Sequence, residues 1–263
     1  MANQTKELNI IQFNSGEKSV KKDFIVKEIP FTILVNGQEI VTLLCSPDKL
    51  EYLAVGFLLS EGLIKSDTQI KSVNLGKDGH YANVELDGDF QVPQDFFQKR
   101  LISSGCGRGS SFYTPRDALD YEPINSDIQI SYKQVTDLMR QFQEKSSLFK
   151  KTGGVHSAAL CNLGEIEIFT EDIGRHNAID KIFGQCLLKG ISTEDKVILT
   201  SGRISSEILI KVAKGKIPII ISRAAPTDLA VGLAEKMRVT LIGFVRGKRM
   251  NIYTHSLRMN SRR

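Results

Sequence analysis

The feature that most constrains this chain is a repeated pattern near its C-terminal end, a short apolar run followed by a helix-patterned segment. Val197–Thr200 leads through Ser201-Gly-Arg-Ile-Ser-Ser206 to a stretch with Ile208, Leu209, Val212 and Ala213 at helical spacing. Ile217–Ile221 leads through Ser222-Arg-Ala-Ala-Pro-Thr227 to Leu229, Ala230, Leu233, Ala234 and Met237, and Thr240–Val245 is a third strand-like run. Alternation of this kind predicts a β-α-β-α-β unit, a sheet with parallel strands and crossover helices. Arg246-Gly-Lys248 then turns the chain into Arg249–Thr254, an antiparallel partner at one end of that sheet. Ligands of open α/β sheets gather beyond the carboxyl ends of the strands. Those places hold Ser201, Gly202, Arg203 and Ser205, then Ser222 and Arg223, then Arg246 and Lys248. Any one of them could be a cap or a surface charge. Their recurrence at equivalent places, beside helix N-termini, points to an anion site for phosphate or nucleotide.

The preceding residues extend the same lobe. Ser131-x-x-Gln134 is a capping box, followed by Val135, Leu138, Met139 and Phe142 at helical spacing in a helix that ends near 146–149. Thr152-Gly-Gly-Val-His156 precedes two strand-like runs, Ser157–Cys161 and Glu165–Thr170. Glu171-Asp-Ile-Gly-Arg-His-Asn-Ala178 then opens a helix with a buried stripe of Ile179, Ile182, Phe183, Cys186 and Leu187. That stripe accounts for Cys186, but not for the polar cluster Asp172, Arg175, His176 and Asn177, which falls where ligand contacts gather.

The N-terminal half reads differently. Residues 1–22 are polar and lysine-rich, a frayed or loosely paired start. Phe31–Val35 and Glu39–Leu44 flank Asn36-Gly37, a type I′ hairpin turn. Ser46-Pro47 is expected to open a helix with Leu50, Leu53, Ala54, Phe57 and Leu58 on one face and Gly62 just past its end. Ile70–Leu75 and His80–Leu86 form a second hairpin, and 93–101 has a helical pattern. A polar passage with prolines at 115 and 123 marks the boundary between a strand-rich lobe, 1–125, and an α/β lobe, 126–263.

The four cysteines, at 45, 106, 161 and 186, form no CxxC pair, which excludes the spacing of zinc ribbons and dithiol motifs. Cys45, Cys161 and Cys186 each sit in apolar patterns that explain them as packing. Cys106 does not. It lies in Ser103-Ser-Gly-Cys-Gly-Arg-Gly-Ser-Ser111, which reads as an accessible loop, with Arg108 placed to favour the thiolate.

Other chemistries fit less well. A zinc deaminase needs H-x-E and P-C-x-x-C; this chain has His156-Ser-Ala and no such cysteine pair, so no metal site is expected. No P-loop motif occurs. A pairing of Cys106 with His156 or His176 in a hydrolase stays open at this level. The net charge of +5 suits an anionic small molecule or an acidic protein and is too mild to argue for nucleic acid. No apolar run approaches the roughly 18 residues of a membrane helix, and the first residues lack a signal-type apolar stretch, so a cytoplasmic protein is expected.

Gly153-Gly-Val-His156, Glu171–Ala178, Ser201-Gly-Arg-Ile-Ser-Ser-Glu207, Ser222-Arg-Ala-Ala-Pro226 and Gly243-Phe-Val-Arg246 together resemble the formate dehydrogenase accessory sulfurtransferases, the FdhD/NarQ family, in order from about Phe24 to about His255. The resemblance implies a sulfur carrier that takes sulfur from a cysteine desulfurase as a persulfide. The carrier passes it to the molybdenum of a bis-(molybdopterin guanine dinucleotide) cofactor before insertion into formate dehydrogenase. It also implies a homodimer and a three-layer α/β/α, cytidine-deaminase-like larger lobe without the deaminase zinc. By position, the family's persulfide cysteine falls on Cys106 and its cofactor-binding stretch on Phe244, Val245, Arg246, Gly247, Lys248 and Arg249. Guanine nucleotide is then a natural mimic of the cofactor. Arg203, Ser222, His156, Arg175 and His176 are further candidates for contact. Some members carry a second cysteine three residues after the first; here that position is Gly109, so a cysteine-pair mechanism is in doubt. The competing expectation is a chaperone that binds the cofactor without sulfur chemistry.

Overall fold

The computed structural model describes residues 4–66, 69–88, 101–102, 110–111 and 122–260. The chain starts with two ten-residue strands, β1 (Thr5–Asn14) and β2 (Glu17–Val26), paired along their whole length. Of the two expectations for the start, frayed or loosely paired, the structure takes the paired one, with a register ten residues long. The base of the ribbon is anchored: the Lys151 ammonium lies 3.7 Å from the Phe24 ring centroid, and Val26 packs against Gly154. Further out, Ile11, Phe13 and Val20 are exposed.

Next come β3 (Ile29–Val35) and β4 (Gln38–Cys45), joined through Asn36 and Gly37 at φ 48° and 80°, both left-handed as a type I′ turn requires. Helix α1 (Leu50–Glu61) follows, then β5 (Ile70–Leu75) and β6 (Tyr81–Leu86). These strands form one sheet in the order β4-β3-β6-β5. Their inward residues, among them Phe31, Ile33, Val35, Ala82 and Val84, bury against Leu53, Ala54, Phe57 and Leu58 of α1. The helix ends at Gly62 as expected, but it does not open at Ser46-Pro47. Ser46 is held by groups of the other lobe, described below, and the chain turns through Lys49 at φ 52° before the first helical residue, Leu50. Two-residue strands β7 (Leu101–Ile102) and β8 (Ser110–Ser111) pair with each other. Leu101 is thus in a strand, not the last turn of a helix; the rest of 93–101 lies outside the described residues.

The second lobe begins with β9 (Ile130–Ser131) and α2 (Tyr132–Lys145), whose capping box forms: Ser131 Oγ accepts from Gln134 N–H, and Gln134 Oε1 accepts from Ser131 N–H. After the short α3 (Ser147–Thr152) come β10 (His156–Cys161), β11 (Ile166–Asp172) and α4 (Arg175–Lys189). The repeated units then appear as β12 (Val197–Thr200), α5 (Ser206–Lys214), β13 (Ile219–Ser222), α6 (Asp228–Lys236) and β14 (Thr240–Arg246). Strand β15 (Arg249–Ile252) folds back on β14, and β16 (Met259–Asn260) pairs with β9.

The six-stranded sheet runs β11-β10-β12-β13-β14-β15, with β12, β13 and β14 parallel and the outer pairings antiparallel. One face buries Ala158, Leu160, Ile198, Ile220 and Leu241 against α4, α5 and α6. The other buries Ala159, Leu199, Ile219, Ile221 and Val245 against Val135, Leu138, Met139 and Phe142 of α2. This is the expected three-layer α/β/α arrangement, beside a smaller strand-rich lobe.

Helices α1 and α4 join the two lobes at a crossing that only glycine allows. A Cβ on Gly56 would stand 1.7 Å from Asp180 O, and one on Gly184 would stand 1.9 Å from Tyr52 O. The backbones are in contact, and no side chain can lie between them.

Candidate functional site

The sheet order sets the site. Parallel strands β12, β13 and β14 end at the same edge, in Thr200, Ser222 and Arg246. Strand β10 is antiparallel to them, so its first residue, His156, lies at that edge, and its partner β11 brings Asp172 opposite His156. Five chain segments therefore meet where α/β sheets hold ligands. The result is a cleft of about 690 Å³ whose lining includes His156, Ser157, Ser201, Arg223 and Arg246, with Phe142, Gln143, Phe149 and Gly153-Gly154 on the α2–α3 side.

Of the residues singled out as candidate ligand contacts, His156 and Arg246 line this cleft. The His156 Nδ1 lies 3.4 Å from Ser201 Oγ, which also accepts the Ser157 N–H at 3.0 Å. Burial, and then the neighbouring Arg175 guanidinium, push the His156 pKa below the ordinary histidine value. The Arg246 Nε donates to Arg223 O at 3.3 Å, and the guanidinium carbon lies 5.6 Å from the Phe244 ring centroid. Phe244 itself is held at φ 53°, with its N–H donating to Ala224 O at 3.2 Å. A phenylalanine in the left-handed region is strained, and such strain clusters at functional sites. Here it bends β14 so that Val245 enters the core while Arg246 leaves it.

Several candidates lie beside the cleft rather than in it. Ser222 is fully buried; its hydroxyl donates to Gly202 O at 2.7 Å and accepts from Ala224 N–H at 2.9 Å, tying two strand-end loops together. Arg203, Gly247, Lys248 and Arg249 are exposed. The turn they flank is fixed where Tyr132 Oη donates to Lys248 O at 2.7 Å. Arg175 opens α4 with its side chain against Gly202, where an added Cβ would come within 3.2 Å of it. The His176 Nε2 stands 3.3 Å from Glu207 Oε2 without hydrogen-bond alignment. Burial first, then Lys211, Arg175 and His156, hold His176 well below the usual histidine pKa. Both imidazoles are neutral near pH 7.

Asp172 is a joint of the fold. Its Oδ1 accepts from Gly174 N–H at 2.8 Å and Asn177 Nδ2 at 2.9 Å; its Oδ2 accepts from Ser46 N–H at 3.0 Å and Lys181 Nζ at 2.6 Å. Lys181 also donates to Ser46 O at 3.3 Å, and Asn177 Nδ2 to Leu44 O at 2.9 Å. Asp172 and Lys181 are both fully buried. Their pair fastens the β4–α1 junction of the first lobe to α4 of the second, one residue from the cleft-lining Ile173.

The charge of the cleft fits an anion. The Nε atom of cleft-lining Arg223 is buried and finds no hydrogen-bond partner, as does that of Arg175 beside the cleft, an arrangement that an external acceptor would relieve. Among the described residues, no group of three His, Cys, Asp or Glu side chains could hold a metal ion, and no helix is long and apolar enough to cross a membrane.

The thiols sort cleanly. Cys45, Cys161 and Cys186 are all buried. Burial pushes each pKa up to about 12, with further upward contributions from Asp172 at Cys45 and from Glu167 at Cys161 and Cys186. The fourth, Cys106, lies outside the described residues, as do Arg108 and Gly109, between the paired strands β7 and β8.

The α2–α3 wall was missed by the sequence reading. Phe142 showed only as part of a core stripe, and Gln143 and Phe149 carried no motif. The wall is placed by Glu171, more than twenty positions away, whose carboxylate accepts from the N–H groups of Leu148 at 3.0 Å and Phe149 at 2.9 Å and so fixes α3 to β11.

Comparison with known proteins agrees with this architecture. The FdhD/NarQ family profile matches residues 26–260. A sulfur carrier protein FdhD of Bacillus pumilus is 45% identical over 97% of this chain and 97% of its own. That of Bacillus subtilis is 43% identical over 95% and 96%. The crystal structure of a protein described as a formate dehydrogenase accessory protein from Desulfotalea psychrophila superposes with a TM-score of 0.81, at 26% identity, covering 98% of this chain and 100% of that one. With a family match across most of its length and relatives above 40% identity, the chain belongs to the FdhD/NarQ family.

Proposed function

We propose that this protein is a sulfur carrier that accepts sulfur on Cys106 and delivers it to a molybdenum cofactor held at the strand-end cleft. The observation that carries the assignment of Cys106 is the burial of the other three thiols. A thiol with a pKa of about 12 is ionised in only about one molecule in 10⁵ at pH 7, and the thiolate is the nucleophile. Cys45, Cys161 and Cys186 are thus both inaccessible and unreactive. If a cysteine of this chain carries sulfur, it is Cys106, which Arg108 follows two positions on in the sequence.

In the first step the Cys106 thiolate attacks the outer sulfur of a persulfide on a cysteine desulfurase. A new sulfur–sulfur bond forms, the donor's bond breaks, and the donor cysteine leaves as its thiolate. Cys106 then holds a persulfide, and with Gly109 three residues on it has no partner cysteine in that loop. The acceptor is the bis-(molybdopterin guanine dinucleotide) cofactor, cargo bound for formate dehydrogenase. The residues present fit its negative charge: Arg223 and Arg246 in the cleft, with Arg203, Lys248 and Arg249 around it. Neutral His156 and Ser201 can hydrogen-bond the ligand without adding charge. The chain's contribution is placement: it holds the acceptor near a thiol that already carries the sulfur. The same reading makes the protein cytoplasmic and homodimeric.

The test uses two variants against one another. Cys106→Ala is expected to abolish activation of formate dehydrogenase in a reconstituted assay while binding GDP as the wild type does. Arg223→Ala with Arg246→Ala is expected to lose GDP affinity while still accepting sulfur. Full activation by Cys106→Ala would leave only a cofactor-binding chaperone.

A further inference from the structure

The cleft has two chemically different sides. The strand ends supply Arg223 and Arg246; the α2–α3 side supplies Phe149, exposed although large and apolar, and Gln143. Gln143 is half-buried, and its carboxamide makes no hydrogen bond among the described residues. By contrast Gln141, on the same helix, donates to Gly164 O at 3.0 Å. An exposed aromatic ring and an unused amide facing one cleft, beside a pair of arginines, match what a phosphorylated heteroaromatic ligand requires: a face to stack on, an edge to read and charge for its phosphates.

The wall is also built to stay in place. Glu171 holds the N-terminal N–H groups of α3, including that of Phe149 itself. Ser146, between the two helices, donates to Phe142 O at 2.9 Å and lies 3.1 Å from Ser157 Oγ on β10. The ring and the amide are thus carried on elements tied to the sheet, which lowers the entropic cost of binding.

We propose that the α2–α3 wall seats the planar ring of the ligand, with Phe149 against its face and Gln143 on its amide edge. That edge is the 2-amino-4-oxo pyrimidine pattern that guanine and pterin share. A carboxamide can donate to its oxo group and accept from the adjacent ring N–H. The inference rests on the reading of the cleft as the site of a pterin- and guanine-bearing cofactor, and it adds which wall holds a ring. Phosphates lie toward Arg223 and Arg246, so one cleft reads charge on one side and base on the other.

Calorimetric titration of the full-length protein with GDP, pyrophosphate and 6-hydroxymethylpterin tests this. Phe149→Ala is expected to weaken the ring-bearing ligand about tenfold or more, and Gln143→Leu about fivefold, with pyrophosphate affinity unchanged in both. Loss confined to GDP identifies the ring as guanine; loss confined to the pterin identifies it as pterin. Unchanged affinity for both ring ligands in both variants overturns the proposal and leaves the anion cleft standing. A wild-type protein that binds none of the three overturns the cleft assignment as well.

Discussion

Replacing Lys181 with methionine tests the joint between the lobes. The substitution keeps most of the volume of a fully buried side chain and removes the ammonium that lies 2.6 Å from Asp172 Oδ2. Asp172 then keeps three donors, from Ser46, Gly174 and Asn177, and loses the one counter-charge paired with it among the described residues. Breaking a buried ion pair from one side costs about 3–5 kcal/mol, because the remaining charge stays out of water. The three surviving hydrogen bonds hold the cost near the lower end, about 3 kcal/mol. For a chain of this length that corresponds to a melting temperature lower by roughly 6–12 °C, and it removes a large part of a typical total stability of about 5–15 kcal/mol. Urea unfolding followed by circular dichroism, with wild type and variant at pH 7, measures it directly. A loss below about 1 kcal/mol would refute the claim that this pair bears on stability at all.

Gly184→Ala should destabilise despite the better helix propensity of alanine: its Cβ would meet Tyr52 O at 1.9 Å, so α1 and α4 must separate. A net loss of at least about 2 kcal/mol in the same unfolding assay is expected, whereas alanine on an open helix face would gain about 1 kcal/mol. His156 and His176 have folded pKa values below the unfolded value of 6.5. The unfolded chain therefore binds protons first as pH falls, so stability is full above 6.5 and declines below it, by up to about 1.4 kcal/mol per pH unit for each histidine. Unfolding curves between pH 7 and 5 should show that decline, and it should shrink in a variant with His176→Gln; a flat profile would contradict the neutral assignment. Alkylation of the native protein with iodoacetamide should modify Cys106 and spare Cys45, Cys161 and Cys186 until denaturant is added.

Most of the larger lobe was legible because its strands and helices follow short-range rules. The capping box at Ser131 and the apolar runs at 197–200 and 240–245 each state their structure locally, as does the Asn36-Gly37 turn in the smaller lobe. The misplaced elements were set by distant residues. Helix α1 starts at Leu50 because Ser46 is bonded to Asp172 and Lys181, more than 120 positions away, which no local pattern records. The first ribbon was legible only as a loosely paired start, because its polar, lysine-bearing strands leave even Ile11, Phe13 and Val20 open to solvent and so carry little of the pattern of a half-buried strand. For the candidate cleft, topology pointed to the ends of the parallel strands, of which Ser201, Arg223 and Arg246 line it while Arg203, Ser222 and Lys248 do not, and His156 stood out from its neighbours in sequence. The α2–α3 wall was not, since its place over the strand ends depends on long-range bonds to Glu171.

The central claim is that one cysteine carries the sulfur. Incubation of the protein with a cysteine desulfurase and cysteine, followed by mass spectrometry of the four cysteine peptides, tests it most directly. The account predicts one added sulfur atom on the Cys106 peptide and none on those of Cys45, Cys161 and Cys186, with no addition anywhere in Cys106→Ala. Sulfur on any of the other three, or an unmodified Cys106 beside an active desulfurase, would contradict it.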